Sequence, residues 1–346
     1  MSGSRRSFLI TSSVGIGAAV GVAGVGGAAA GLYSNAARPL LEGVSSDAAE
    51  LPIVDTHQHL WDLSQLTLGW LKGAPEVLTR NYGLAEYAAA TEGLNVVQAV
   101  YMEVDVIPEH QRKEADALIA VCRSGKSPTV AAVISGRPDS DGFAEYIRSY
   151  SSAPEIRGVR QVLHAESAVR GLCLKPQFVA SMKLLGELGL SFDLCMRPGE
   201  LEDGVALAKQ CPETRFIVDH CGNAAPAAFL PKSVRKNPPE HDADQWRRDM
   251  SAFAACPNVI CKISGVIAAA PSGVPFAESL APIVNHCLDE FGPDRVVFGG
   301  DWPVCLLGGT YRDWVFSLRQ IVADRPRVER EKLWSGNARR FYRLPA

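Results

Sequence analysis

Ile53-Val54-Asp55-Thr56-His57-Gln58-His59 is the stretch on which the fold turns: a short β-branched lead-in followed by two imidazoles two residues apart. In an extended segment residues i and i+2 face the same way. His57 and His59 therefore make half of a grip for one divalent cation at a strand end, while Asp55 and Gln58 point elsewhere. The pair alone also fits two hydrogen-bonded core histidines, so the rest of the chain has to decide.

Similar β-branched runs recur at 96–101, 130–134, 156–160, 190–194, 215–219, 259–263 and 295–298, which with the first makes eight. Between them, segments 109–122, 176–188, 201–210, 246–255 and 276–291 carry apolar residues at helical spacing. Eight βα repeats predict an α/β chain closed into a (β/α)8 TIM barrel, with a doubly wound open sheet as second choice. No glycine-rich dinucleotide or phosphate fingerprint follows the first run, which counts against the open sheet.

In a barrel the carboxyl-terminal ends of the strands converge on one rim. Those ends carry His57 and His59, Glu103, Arg160 with His164, Asp193 with Arg197, Asp219 with His220, Lys262 with Ser264, and Asp301 with Trp302. Ionisable groups at nearly every end point to metal-assisted or acid–base catalysis, because burying them costs free energy unless they are paired or used. Asp219 reads equally well as a brace for a neighbouring loop. His110, His241 and His286 lie in polar or helical surroundings and read as surface or packing histidines.

Formal charge is −3, from 35 basic and 38 acidic residues, so there is no basic footprint for nucleic acid. The partner expected is a small molecule, and homo-oligomerisation stays open. The nine cysteines include no C-x-x-C pair, and several sit in apolar runs where a thiol is an ordinary core filler. Free thiols are expected. Residues 1–36, with Arg5-Arg6-Ser7-Phe8-Leu9 ahead of a Gly/Ala-rich apolar stretch, resemble a bacterial twin-arginine export signal. That reading makes 37–50 a linker and 51–346 the catalytic barrel. It places the mature chain in the periplasm or another extracytoplasmic space, with no membrane span left after cleavage; an uncleaved anchor is the alternative.

Asp55-Thr56-His57-Gln58-His59-Leu60-Trp61-Asp62, Gly158-Val159-Arg160, Val218-Asp219-His220-Cys221-Gly222-Asn223, Cys261-Lys262-Ile263-Ser264-Gly265, Phe298-Gly299-Gly300-Asp301-Trp302-Pro303 and Asn337-Ala338-Arg339-Arg340-Phe341-Tyr342 together resemble the signature stretches of the amidohydrolase superfamily's lactonase branch. The resemblance runs in order through residues 53–344 and implies a TIM barrel of the metal-dependent hydrolase type. It implies that His57, His59 and Asp301 surround the reaction centre, that His220 is the sixth-strand histidine and that Glu103 adds an acidic group. Some members of the branch hold one divalent metal and others use none. The second metal's usual lysine or histidine is absent, so at most one ion is expected, zinc by ligand type with manganese or iron also admitted. Gly300 stands where many relatives carry serine.

A mechanism follows for opening a small polar lactone, a sugar lactone or a carboxylated one. A metal on His57, His59 and Asp301, aided by Glu103, polarises the carbonyl and acidifies the attacking water. Asp301 is the base, and His220 orients the water or stabilises the oxyanion. Arg160 and His164, with Lys262, read a polar substituent or carboxylate. Trp61, Trp70, Tyr101 and Trp302 supply walls, and the 224–245 segment is either a lid that adds positive charge or a plain surface loop. No Gly-x-Ser-x-Gly elbow is present, which disfavours serine chemistry. A metal-dependent decarboxylase of a small unsaturated acid is the alternative on the same barrel, although such relatives add a fifth-strand metal histidine where this chain has Asp193.

Overall fold

The computed structural model describes residues 51–345, apart from 166, 236 and 237. The export-signal and linker readings, residues 1–50, lie outside the described residues. Among the described residues no helix is long and apolar enough to cross a membrane.

Eight strands form one parallel sheet in sequential order: β1 (Ile53–Gln58), β2 (Val96–Met102), β3 (Thr129–Ser135), β4 (Ile156–Val162), β5 (Ser191–Cys195), β6 (Arg215–Val218), β7 (Val259–Ile263) and β8 (Val296–Phe298). The cylinder closes where Gln58 bridges Trp302 in parallel, with Asp301 N donating to His57 O and His59 N to Trp302 O, each at 2.8 Å. The closing bonds therefore run through the residues that carry the chemistry. Alternation gives two cores. Val54, Val100, Met102, Ala131, Val133, Ile217, Ile260 and Val297 point inward, over a floor made by Ala338 and Tyr342; the opposite faces pack against the helical shell.

The helices follow their apolar periodicity. In Phe276–Phe291, Leu280, Ile283, Val284, Cys287, Leu288 and Phe291 form the buried stripe, and the helix stops at Gly292, whose φ is +68°. Ala243–Ala254 begins earlier than its apolar pattern indicates, because the Asp242 side chain caps it by accepting from Gln245 N at 2.7 Å. Gln111–Ser124 begins later than expected, since Pro108–His110 form a 3-10 turn.

That helix buries Glu114, whose Oε1 accepts from Tyr101 Oη and Val104 N at 2.8 Å each. Burial, reinforced by nearby Glu103, pushes its carboxyl up to about 8. The native state thus holds a proton that the unfolded chain releases, so this group's stabilisation is complete below the ordinary carboxylate range and is lost as pH rises to about 8. Glu114→Gln is expected to flatten the pH dependence of the urea midpoint between about pH 4.5 and 8, a slope of at most roughly 1.4 kcal/mol per pH unit. An unchanged slope in the variant would assign it to other groups.

All nine cysteines are free, eight of them buried, as core fillers should be.

Candidate metal centre and active-site cavity

A register shift in β1 between Asp55 and Gln58 sets the site. With Val54 inward, alternation turns Asp55 outward, where it accepts from Tyr87 Oη (2.8 Å) and Tyr311 Oη (3.1 Å) of the outer helices and from His57 N and Gly300 N. Strict alternation would turn His57 outward too, and the bulge re-aims it inward. Gly300 is glycine because a Cβ there would lie 2.2 Å from the Tyr311 ring. Asp55 thus ties the ends of β1 and β8 together while His57 turns inward, fully buried.

His59 Nδ1 lies 2.9 Å from Met102 O. A carbonyl can only accept, so Nδ1 carries the proton and the Nε2 lone pair is free. It faces Asp301 Oδ1 at 3.4 Å, and His57 Nε2 faces the same oxygen at 3.6 Å. The three donor atoms lie within 4.8 Å of one another. These separations are long for hydrogen bonds. They match the roughly 3.3–3.6 Å edge of a tetrahedron of ligands held about 2.0–2.2 Å from zinc. Burial, then the charge of Lys262, holds the His57 imidazole well below its ordinary value, so it stays neutral and able to ligate.

Charge fits as well. Arg160 and Lys262 pair with Glu103, Asp193 and Asp219, while Asp301 faces the imidazoles, so the four carboxylates exceed the two cations by up to two negative charges, which one divalent ion neutralises. Lys262 Nζ lies 2.6 Å from Asp193 Oδ2 and 2.9 Å from Asp219 Oδ1. Burial works to raise the Asp219 carboxyl, but Lys262 leads the cations that hold it down, to about 2. Asp193 is pushed up to about 7, burial outweighing the same lysine. One constraint runs the other way: Arg160 Nη1 approaches His57 Nε2 at 3.2 Å, so guanidinium and metal compete for that lone pair.

His220 stacks at a tilt against His57, ring centroids 4.4 Å apart, with Nδ1 2.9 Å from Ser264 Oγ. Burial lowers its pKa. A Cβ on Gly265 would meet this imidazole at 2.3 Å, which explains the glycine after Ser264. His220 and Asp301 both adopt left-handed backbone, φ +53° and +54°. Non-glycine residues rarely do so, and such strain concentrates at working sites.

Above the metal-binding cluster opens a cavity of about 1110 Å3 lined by His59, Arg160, His164, His220, Asp301 and Trp61, with Trp70 and the 104–108 loop at its outer end. Four expected site residues are placed elsewhere. Tyr101 is buried, and its hydroxyl serves Glu114. Trp302 packs between Tyr82 and Tyr87, ring centroids 5.1 and 5.5 Å away. Lys262 lies beneath the cavity inside the barrel, fully buried in its ion pairs. Glu103 turns from the imidazoles toward Arg160 Nε at 2.6 Å and also accepts from Asp105 N at 2.7 Å, so both its oxygens are engaged. Among the described residues of the 224–245 segment, Ala224, Ala225 and the acidic Glu240 line the cavity. Arg137, which also lines the cavity, went unread, although it follows β3 just as the other functional groups follow their strands.

A parallel eight-stranded barrel with imidazole and carboxylate donors gathered at its carboxyl-terminal rim defines a metal-dependent hydrolase. The family model described as amidohydrolase matches residues 54–344. The chain belongs to the amidohydrolase family, in its lactonase-type branch. It is 30% identical over 301 residues to an L-fucono-1,5-lactonase of Burkholderia multivorans, covering 84% of this chain and 96% of that protein. An L-rhamnono-gamma-lactonase of Scheffersomyces stipitis is 24% identical over 339 residues, covering 84% and 98%. A crystal structure of an amidohydrolase from Burkholderia multivorans with bound zinc superposes with a TM-score of 0.73 at 25% identity, over 85% of this chain and 100% of that one.

Proposed function

We propose that the chain hydrolyses a neutral, hydroxylated lactone. The observation that carries this is the position of Asp301: a carboxylate on strained backbone, with one oxygen facing His57 and His59, at the inner end of a cavity wide enough for a sugar ring. The lactonase relatives support the bond type.

The free oxygen of Asp301 takes a proton as a water oxygen attacks the ring carbonyl carbon. In the tautomer in which the Ser264 hydroxyl donates to Nδ1, His220 presents its other nitrogen's N–H to the developing oxyanion. The ring C–O bond then breaks, and the departing alkoxide recovers a proton from Asp301, leaving a hydroxy acid. A divalent ion on His57, His59 and Asp301, zinc by its donors and by the zinc-bearing structural relative, would supply Lewis acidity to the carbonyl and acidify the water.

Neutral substrates are favoured because both arginines lining the cavity are engaged, Arg160 with Glu103 and Arg137 with Asp105 at 2.9 Å. A substrate carboxylate finds no free guanidinium there, and the lining's Lys72 sits exposed to solvent beside Trp70. In an acid-release assay, aldonolactones are expected to exceed carboxylated muconolactones in kcat/KM by at least about tenfold, the value of one unmade charge-assisted pair. The reverse order would refute the charge preference.

A further inference from the structure

We infer that the outer half of the cavity is a subsite for an apolar substituent carried by the lactone; this rests on the lactonase reading and specifies its substrate. The volume, about 1110 Å3, exceeds the roughly 300–1,000 Å3 that encloses drug-sized ligands. A single sugar ring at the Asp301 end leaves most of it unfilled.

The wall built by Trp61, Trp70 and the 106–108 loop is apolar, with charged groups on the lining around it. Trp61 and Trp70 meet edge to face, centroids 5.9 Å apart at 89°. Each indole N–H is already bonded to backbone, Trp61 Nε1 to Arg80 O at 2.7 Å and Trp70 Nε1 to Val104 O at 2.8 Å. Neither ring therefore has a donor left for a substrate hydroxyl, and both show the cavity only carbon. Val106, Ile107 and Pro108 continue the surface, with Val266 also on the lining. Ile107 N is tied to Thr67 O at 3.1 Å, so this backbone too offers no donor at that point. Of the basic groups on the lining, Arg137 is paired with Asp105, and Lys72 is exposed to solvent beside Trp70. Trp70 remains 37% exposed, a large apolar ring facing water at the mouth of a polar reaction centre, as expected where a ligand completes the burial. An aryl or branched alkyl group on the ring carbon next to the lactone oxygen fits this surface. Hydroxyls on the ring itself fall at the His59, His220 and Asp301 end.

The test is a matched set of δ-lactones: δ-phenyl-δ-valerolactone against its δ-hydroxymethyl counterpart, with the metal-replete full-length protein. The phenyl compound is expected to have the larger kcat/KM by at least about tenfold, carried mainly by KM, as burial of one aromatic ring against carbon predicts. Trp70→Ala should reduce that ratio to below about threefold, and Trp70→Phe should restore most of it. Equal kcat/KM for the two lactones, or a phenyl preference that survives Trp70→Ala, would overturn the subsite while leaving lactone hydrolysis standing. Absence of turnover on every lactone, aldonolactones included, would overturn both.

Discussion

Asp301→Asn is expected to lower kcat by roughly 10²–10⁴ with a much smaller change in KM. The amide keeps the size of the carboxylate and one acceptor oxygen toward His57 and His59 but cannot take a proton. The backbone bonds that place the residue, Asp301 N to His57 O and Cys305 N to Asp301 O, do not involve its side chain, so the variant should fold. Pre-steady-state measurements should show loss in the chemical step. Turnover within about threefold of the parent would make Asp301 structural.

Lys262→Met is expected to have the largest effect on stability. The lysine is buried in the barrel against Asp193 and Asp219, and methionine keeps its volume while stranding Asp193 and leaving Asp219 only the more distant Arg160 at 3.5 Å. Removing one partner of such a cluster costs about 3–5 kcal/mol, which lowers Tm by roughly 10 °C in a chain of this size. The deficit should shrink in acid. Asp219, held down to about 2 by its cations, stabilises the parent above the ordinary carboxylate range, and this is lost as pH falls toward 2. Adding Asp193→Asn to Lys262→Met should recover part of the loss. A Tm within about 2 °C of the parent would mean that the cluster relaxes by admitting water.

Much of the barrel was legible because parallel strands buried on both faces must be continuous β-branched runs, and all eight runs became strands. The paired histidines were legible because i, i+2 spacing survives as a shared direction. What failed was orientation at the strand ends. Position after a strand puts Glu103 and Arg160 on the rim equally, but says nothing of their preference for each other over a metal or a substrate. Tyr101 and Trp302 have the right residue types for a sugar-stacking wall, yet each is claimed by an outer partner, Glu114 for one and the Tyr82–Tyr87 pair for the other. These partners are distant in sequence, and no local pattern marks them. Trp70 joined the cavity through a backbone carbonyl, Val104 O, a contact invisible in side-chain chemistry. The bulge after Asp55, which turns His57 inward, likewise leaves no mark in the sequence.

A mononuclear metal centre at His57, His59 and Asp301 is tested most directly by titrating chelator-stripped protein with zinc, read as lactone hydrolysis. Activity should be nearly absent at the start, rise linearly and break at about one equivalent per chain, as one structurally defined site requires, and His57→Ala should show no such rise. Full activity in the stripped protein would contradict the metal's role. A break at about two equivalents would contradict the single site.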